Sequence, residues 1–95
     1  MDIRIEAKGH PNQDQLNAYY TEKLNQKYGK YPFVKTIHVK VDTKDQSAEV
    51  SLLMQLEKGG KIFAQASSTN EHSSLTSAIK KINSQIEKYK QKHYA

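Results

Sequence analysis

The 95 residues predict an α+β fold: a β-α-β-β-β-α two-layer sandwich, with a four-stranded sheet and two helices packed on one face. Apolar residues recur with period two in four stretches and with a helical period in two others. Two amphipathic helices cannot hide their apolar stripes from water alone. The simplest cover for both is one face of a sheet. A chain of this size buries roughly 60–65% of its unfolded surface, enough for one modest core and a single domain spanning residues 1–95.

The first strand places Ile3, Ile5 and Ala7 on one face and Asp2, Arg4, Glu6 and Lys8 on the other. His10-Pro11 breaks it. Asn12 then reads as a helix N-cap, with Gln15 three residues on as in a capping box. Leu16, Tyr20 and Leu24 follow at i, i+4 spacing, with Tyr28 near the end of the helix. Gly29 and Pro32 stop it, so the first helix is expected over 12–28. The second strand is expected over 34–42, with Ile37, Val39 and Val41 inward and His38, Lys40 and Asp42 outward. A polar turn over 42–46 leads to the third strand, 48–56, and Lys58-Gly59-Gly60 reads as a hairpin turn. The fourth strand, 61–67, turns Ile62, Ala64 and Ala66 inward; its two small alanines predict a helix lying close above them. The three hairpin-linked strands are expected to pair antiparallel. A loop ending in a cap at Asn70 opens the second helix, 71–93. Its stripe of Leu75, Ile79, Ile82, Ile86 and Tyr89 is the strongest periodic signal in the chain.

Composition narrows the function classes. The chain has 15 Lys+Arg against 10 Asp+Glu, a formal net charge of +5, four His and no Cys or Trp. Without cysteine there are no disulfides, Cys–zinc sites, Fe–S clusters or thiol catalysis. No apolar run exceeds three residues, too short to span a bilayer, and the alternating charges from Asp2 to Lys8 do not fit a secretory signal. No membrane partner or small-molecule substrate is expected. His10, His38, His72 and His93 show no metal-ligand spacing, so no metal site is expected. No Walker A, GxGxxG or GxSxG motif occurs; Asp42 and Asp45 read as solvated turn residues. The chain reads as a non-enzyme without cofactors.

The charge excess lies toward the C-terminus, where Lys80, Lys81, Lys88, Lys90 and Lys92 stand against Glu87. At about 100° per residue, Lys81, Lys88 and Lys92 fall within about 40° of one another, on one flank of the apolar stripe. Lys80 and Lys90 point elsewhere. On the first helix Tyr19, Lys23, Lys27 and Lys30 form a second stripe beside the core stripe. With the helices side by side, both rows can feed one basic surface, interleaved by Tyr28, Tyr31, Tyr89 and Tyr94. Lysine contacts phosphate without reading bases, and tyrosine can stack on unpaired bases; tyrosine at core spacing is more simply core. Leu53 and Phe63 project to the open sheet face as a small apolar patch, a possible protein contact. The element order differs from that of an RRM, and no aromatic-rich RNP-type strand is present.

These residues, in this order, resemble the ribosome hibernation promoting factors, also called ribosome-associated inhibitor, protein Y or sigma-54 modulation proteins. The resemblance is carried by Met1-Asp2-Ile3-Arg4-Ile5, by the helix from Leu16 to Leu24, and by Lys27-Tyr28-Gly29-Lys30-Tyr31. It continues through Gly60 to Ala66 and the helix from Leu75 to Lys90. The chain departs from the family at Asn17 and Ser84, where basic residues are common, at Lys80, often acidic, and at Thr76, often Asp. Asn17 and Ser84 are therefore not assigned phosphate contacts. The resemblance is to the short form, for which self-driven pairing of whole ribosomes is not implied.

The resemblance implies a cytoplasmic stress or stationary-phase factor. It would bind the small ribosomal subunit and its 16S rRNA at the decoding region, within the whole ribosome, and block mRNA and tRNA reversibly. The expected rRNA contacts are Lys23, Lys27, Lys30, Lys80, Lys81, Lys88, Lys90 and Lys92. The alternative is a protein-interaction module that uses Leu53 and Phe63, with the lysines only solvated.

Overall fold

The computed structural model describes residues 1–7 and 12–93. Lys8, the break at His10-Pro11, Tyr94 and the side chain of His93 lie outside the described residues. The elements follow the expected order: β1 (Asp2–Glu6), α1 (Gln13–Tyr28), β2 (Val34–Thr43), β3 (Ala48–Leu56), β4 (Lys61–Ser68) and α2 (Glu71–His93). The sheet order is β1-β2-β3-β4. β2, β3 and β4 pair antiparallel, as expected of hairpin-linked strands. β1 pairs parallel to β2, with Ile3 opposite Ile37 and Ile5 opposite Val39, so the sheet is mixed. A parallel neighbour needs a crossover, and α1 is that crossover.

Period-two burial is clear on β3 and β4: Val50, Leu52 and Met54 are buried, as are Ile62, Ala64 and Ala66. Both helices lay their stripes on this one face, α1 beside β1 and α2 across β3 and β4. Leu16, Tyr20, Leu24 and Tyr28 are buried from α1; Leu75, Ile79, Ile82 and Ile86 from α2. Each of these aliphatic side chains contributes about 1.5–3 kcal/mol by leaving water. Ala64 and Ala66 lie beneath α2, the close approach their small size predicts. Ser74 is fully buried as well, a position that polarity alone would place outside. Its Oγ donates to Ala48 O at 2.6 Å and lies 3.0 Å from Asn70 O, so the hydroxyl is satisfied.

Local signals hold at most ends. Asn70 caps α2, its Oδ1 accepting from the Ser73 amide at 2.9 Å. The β3–β4 connection is the expected tight hairpin turn: the Gly60 amide donates to Glu57 O at 3.3 Å, and Lys58 (φ 61°) and Gly59 (φ 77°) both take left-handed backbone. Gly60 lies close beneath Tyr89: a Cβ there would stand 3.2 Å from the ring, which would have to move by a few tenths of an ångström. The expected capping box at Asn12 is not formed. Asn12 has φ −122° and ψ 52°, not the extended backbone of a cap, and its side chain makes no cap hydrogen bond. Instead Gln13 Nε2 donates to Ala7 O at 2.8 Å, tying the start of α1 to the end of β1.

Candidate nucleic-acid interface

Two buried tyrosines join the helices. Tyr20 Oη donates to Glu71 O at 2.9 Å, and Tyr28 Oη donates to Asn83 Oδ1 at 2.8 Å. As α1 advances from 20 to 28, its partners on α2 advance from 71 to 83, so the helices run parallel, side by side. Burial raises both phenol pKa values well above the ordinary tyrosine value, and the hydroxyls stay protonated as donors. This confirms the core reading of Tyr20 and Tyr28. Tyr89 is half-buried, packs on the core, and donates to Glu57 O at 3.2 Å.

The first-helix stripe forms as expected along the flank facing α2. Tyr19 meets His72 edge-on at 4.9 Å between ring centroids, and Lys23 Nζ stands 5.7 Å from the Tyr19 ring. At the other end lies a groove of about 350 Å³, lined by residues that include Gln26, Lys27, Lys30, Tyr31, Asn83 and Glu87. Lys30 Nζ, just past α1, and Lys90 Nζ, near the end of α2, stand 5.6 and 5.4 Å from the same Tyr31 ring. Tyr31 continues an aromatic chain through Phe33 to Tyr89, at centroid distances of 5.4 and 5.2 Å. Lys90 also pairs with Glu87 at 3.7 Å.

The two predicted lysine rows therefore do not merge as a simple pair. Lys90, read from the sequence as pointing away, is the α2 lysine that joins the α1 row. Lys81 turns to the opposite flank, where its Nζ donates to Gln65 O at 2.7 Å on β4, the strand farthest from β1 and α1. Gln85 does the same to Phe63 O at 2.8 Å. Helical spacing puts Lys88 and Lys92 on that flank too, both exposed. Lys27 is exposed in the groove lining, and Lys80 is exposed on the same side of α2 as Asn83 and Glu87 by helical spacing. Sequence reasoning missed Asn83, whose pairing with Tyr28 sets the distance between the helices. Its only signal is its place one residue after Ile82 in the core stripe.

The open sheet face is different in character. Arg4, His38, Leu53 and Phe63 lie in one row across the four strands. Phe63 is 53% exposed and Leu53 half-buried, as the strand alternation predicts. The rest of the row is polar, with His38 Nε2 3.2 Å from Glu6 Oε1. Among the described residues no group of three His, Cys, Asp or Glu side chains could hold a metal, and no helix is long and apolar enough to cross a membrane.

Comparison with known proteins sets this architecture in a family. A ribosomal subunit interface protein from Coxiella burnetii superposes with a TM-score of 0.82 at 23% identity, covering 96% of this chain and 99% of that one. The N-terminal domain of Thermus thermophilus Protein Y superposes with a TM-score of 0.78 at 15% identity, covering 94% and 99%. These likenesses establish the shared fold. Among curated proteins no sequence matches. The family profile described as sigma 54 modulation protein / S30EA ribosomal protein matches residues 3–94, nearly the whole span. The chain belongs to that family, whose members are ribosome-associated proteins rather than enzymes.

Proposed function

We propose that this chain is a cytoplasmic ribosome hibernation factor, its residues 1–95 forming one ribosome-binding domain. It binds the small subunit at the 16S rRNA of the decoding region and holds translation off under stress or in stationary phase. Occupying the path of mRNA and tRNA requires no reacting group, only a compact body that fits and a face that attracts phosphate. The observation that carries this reading is the convergence of Lys30 and Lys90, from two helices, on Tyr31 beside a polar groove. Lys23, Lys27 and Lys80 extend that face along the helices; Lys88 and Lys92 extend it around the flank of α2. Lys81 adds charge there, with its ammonium held at the sheet edge. Family membership and the likeness to the ribosomal subunit interface protein from Coxiella burnetii support the same partner.

Co-sedimentation with small subunits and whole ribosomes, at low and high salt, tests the proposal. Each lysine–phosphate contact should lower log K by about 0.7–0.9 per unit of log salt, so several contacts make binding steeply salt-sensitive. Paired charge reversals, Lys30→Glu with Lys90→Glu or Lys88→Glu with Lys92→Glu, should each weaken binding by about tenfold or more at low salt. Binding unchanged by either pair would exclude the helical face. The exposure of Phe63 beside Leu53 favours a second reading, a protein contact on the open sheet. That contact would be nearly insensitive to salt and lost in Phe63→Ala.

A further inference from the structure

The outer edge of β4 shows an arrangement that ribosome binding does not explain. Among the described residues β4 pairs only with β3, and no strand lies along its other side. An eight-residue edge strand of this kind is a template for another strand. Two carbonyls on that side, Phe63 O and Gln65 O, are instead capped by side chains reaching down from α2: Gln85 Nε2 at 2.8 Å and Lys81 Nζ at 2.7 Å. Both are donors only at the bonded atom, and they sit four residues apart, one helical turn, above carbonyls two residues apart on the strand. The match of the two spacings lets one helix flank cover one strand edge.

We infer that Lys81 and Gln85 form a latch that keeps the edge of β4 from pairing with a second copy of this chain, and so keeps the protein monomeric. A second copy is the occupant the edge fits. Two β4 strands meeting antiparallel about a twofold axis would continue the sheet and can set Phe63 opposite Phe63 of the other copy, a favourable cross-strand aromatic pair. The same approach would bring two α2 flanks together, each carrying Lys81, Lys88 and Lys92. Their like charges oppose the contact, and salt screens that opposition. The latch thus has a directional part, the two capping bonds, and an electrostatic part, the lysine row.

Sedimentation equilibrium or light scattering across micromolar to sub-millimolar concentrations reads the outcome. The wild-type chain should remain at the mass of one chain. The Lys81→Ala, Gln85→Ala double variant, checked for native helix content by circular dichroism, should reach the mass of two chains, with its dissociation constant falling as salt rises. Adding Gln65→Pro to that variant should return it to one chain. The Gln65 amide faces the open edge beside its carbonyl, so proline there leaves the β3 ladder whole. A double variant that stays monomeric overturns the inference. So does a wild-type chain that dimerises equally well, or a dimer that survives Gln65→Pro, which would place the contact elsewhere. None of these readouts depends on ribosome binding.

Discussion

Tyr20, Tyr28 and Tyr89 occupy core spacing, yet each phenol ends on a specific acceptor: Glu71 O, Asn83 Oδ1 and Glu57 O. The rings supply apolar area and the hydroxyls set how the helices and the β3–β4 turn lie against one another. Tyr28→Phe should cost about 0.5–1.5 kcal/mol at neutral pH, read by urea unfolding. It should also change the response to alkali. Burial, aided by Tyr31 for Tyr28 and by Glu71 and Tyr19 for Tyr20, raises both pKa values above the usual value of about 10. The folded chain then keeps these protons at a pH where the unfolded chain releases them. Stability from this source is complete below about pH 10 and is lost above it, at about 1.4 kcal/mol per pH unit for each tyrosine. The unfolding free energies of wild type and Tyr28→Phe should run parallel up to that point and converge by about this slope above it. Curves that stay parallel would show that no such linkage exists. Core spacing makes the burial of Tyr20 and Tyr28 legible in the sequence. Their acceptors are not legible, because they lie 51 and 55 residues away and depend on how two helices align.

At the level of elements, the sequence was most readable where one periodic face meets one surface. The stripe of α2 and the alternation of β3 and β4 correspond to buried residues almost position by position. Two kinds of information were not readable. The side of β2 on which β1 pairs, and its direction, follow from the crossover of α1, which leaves no mark in the five residues of β1. The flank of α2 that faces α1 is equally hidden. A helical wheel defines two flanks beside an apolar stripe and does not say which one meets the neighbour. This is why Lys90 and Lys81 exchange the positions expected of them. Caps show the same limit in miniature: Asn70 and Asn12 carry the same side chain, but of the two only Asn70 makes the capping bond. Asn70→Ala should cost about 1 kcal/mol. For a domain of this size that lowers the thermal midpoint by roughly 4–8 °C. A midpoint that does not move would show that the cap is dispensable.

Across the whole molecule, the two helices start at one end and finish at the other. Ser74 holds the start of α2 against Ala48, beside the β2–β3 turn, and Tyr89 holds its last turns against Glu57, beside the β3–β4 turn. Asp14, Asp42, Asp45, Glu49 and Glu71 therefore gather at one end of a body with extents of 44 × 21 × 20 Å. Lys27, Lys30, Lys61, Lys88, Lys90 and Lys92 gather at the other. Because the helices are parallel, their backbone dipoles add. Asp14 and Glu71 sit in the first turns, at the two positive poles, and Lys27, Lys90 and Lys92 in the last turns, at the two negative ones, each placement favourable by about 0.3–1 kcal/mol. The full side-chain charges outweigh these fractional poles, so the protein as a whole is an electric dipole directed along its length. In the field of a polyanion such a body turns before it touches, lysine end foremost, and association is steered as well as strengthened. Two reversals with the same change in net charge separate the effects: Lys61→Glu at the basic end and Lys44→Glu at the acidic end. Neither residue is assigned a phosphate contact. At low salt, Lys61→Glu should slow association with small subunits severalfold in stopped-flow measurements while Lys44→Glu changes it little, and the difference should vanish as the screening length shrinks toward about 8 Å. Equal rates at low salt would mean that total charge alone sets the approach. Unequal rates would mean that two parallel helices give the molecule a bow and a stern.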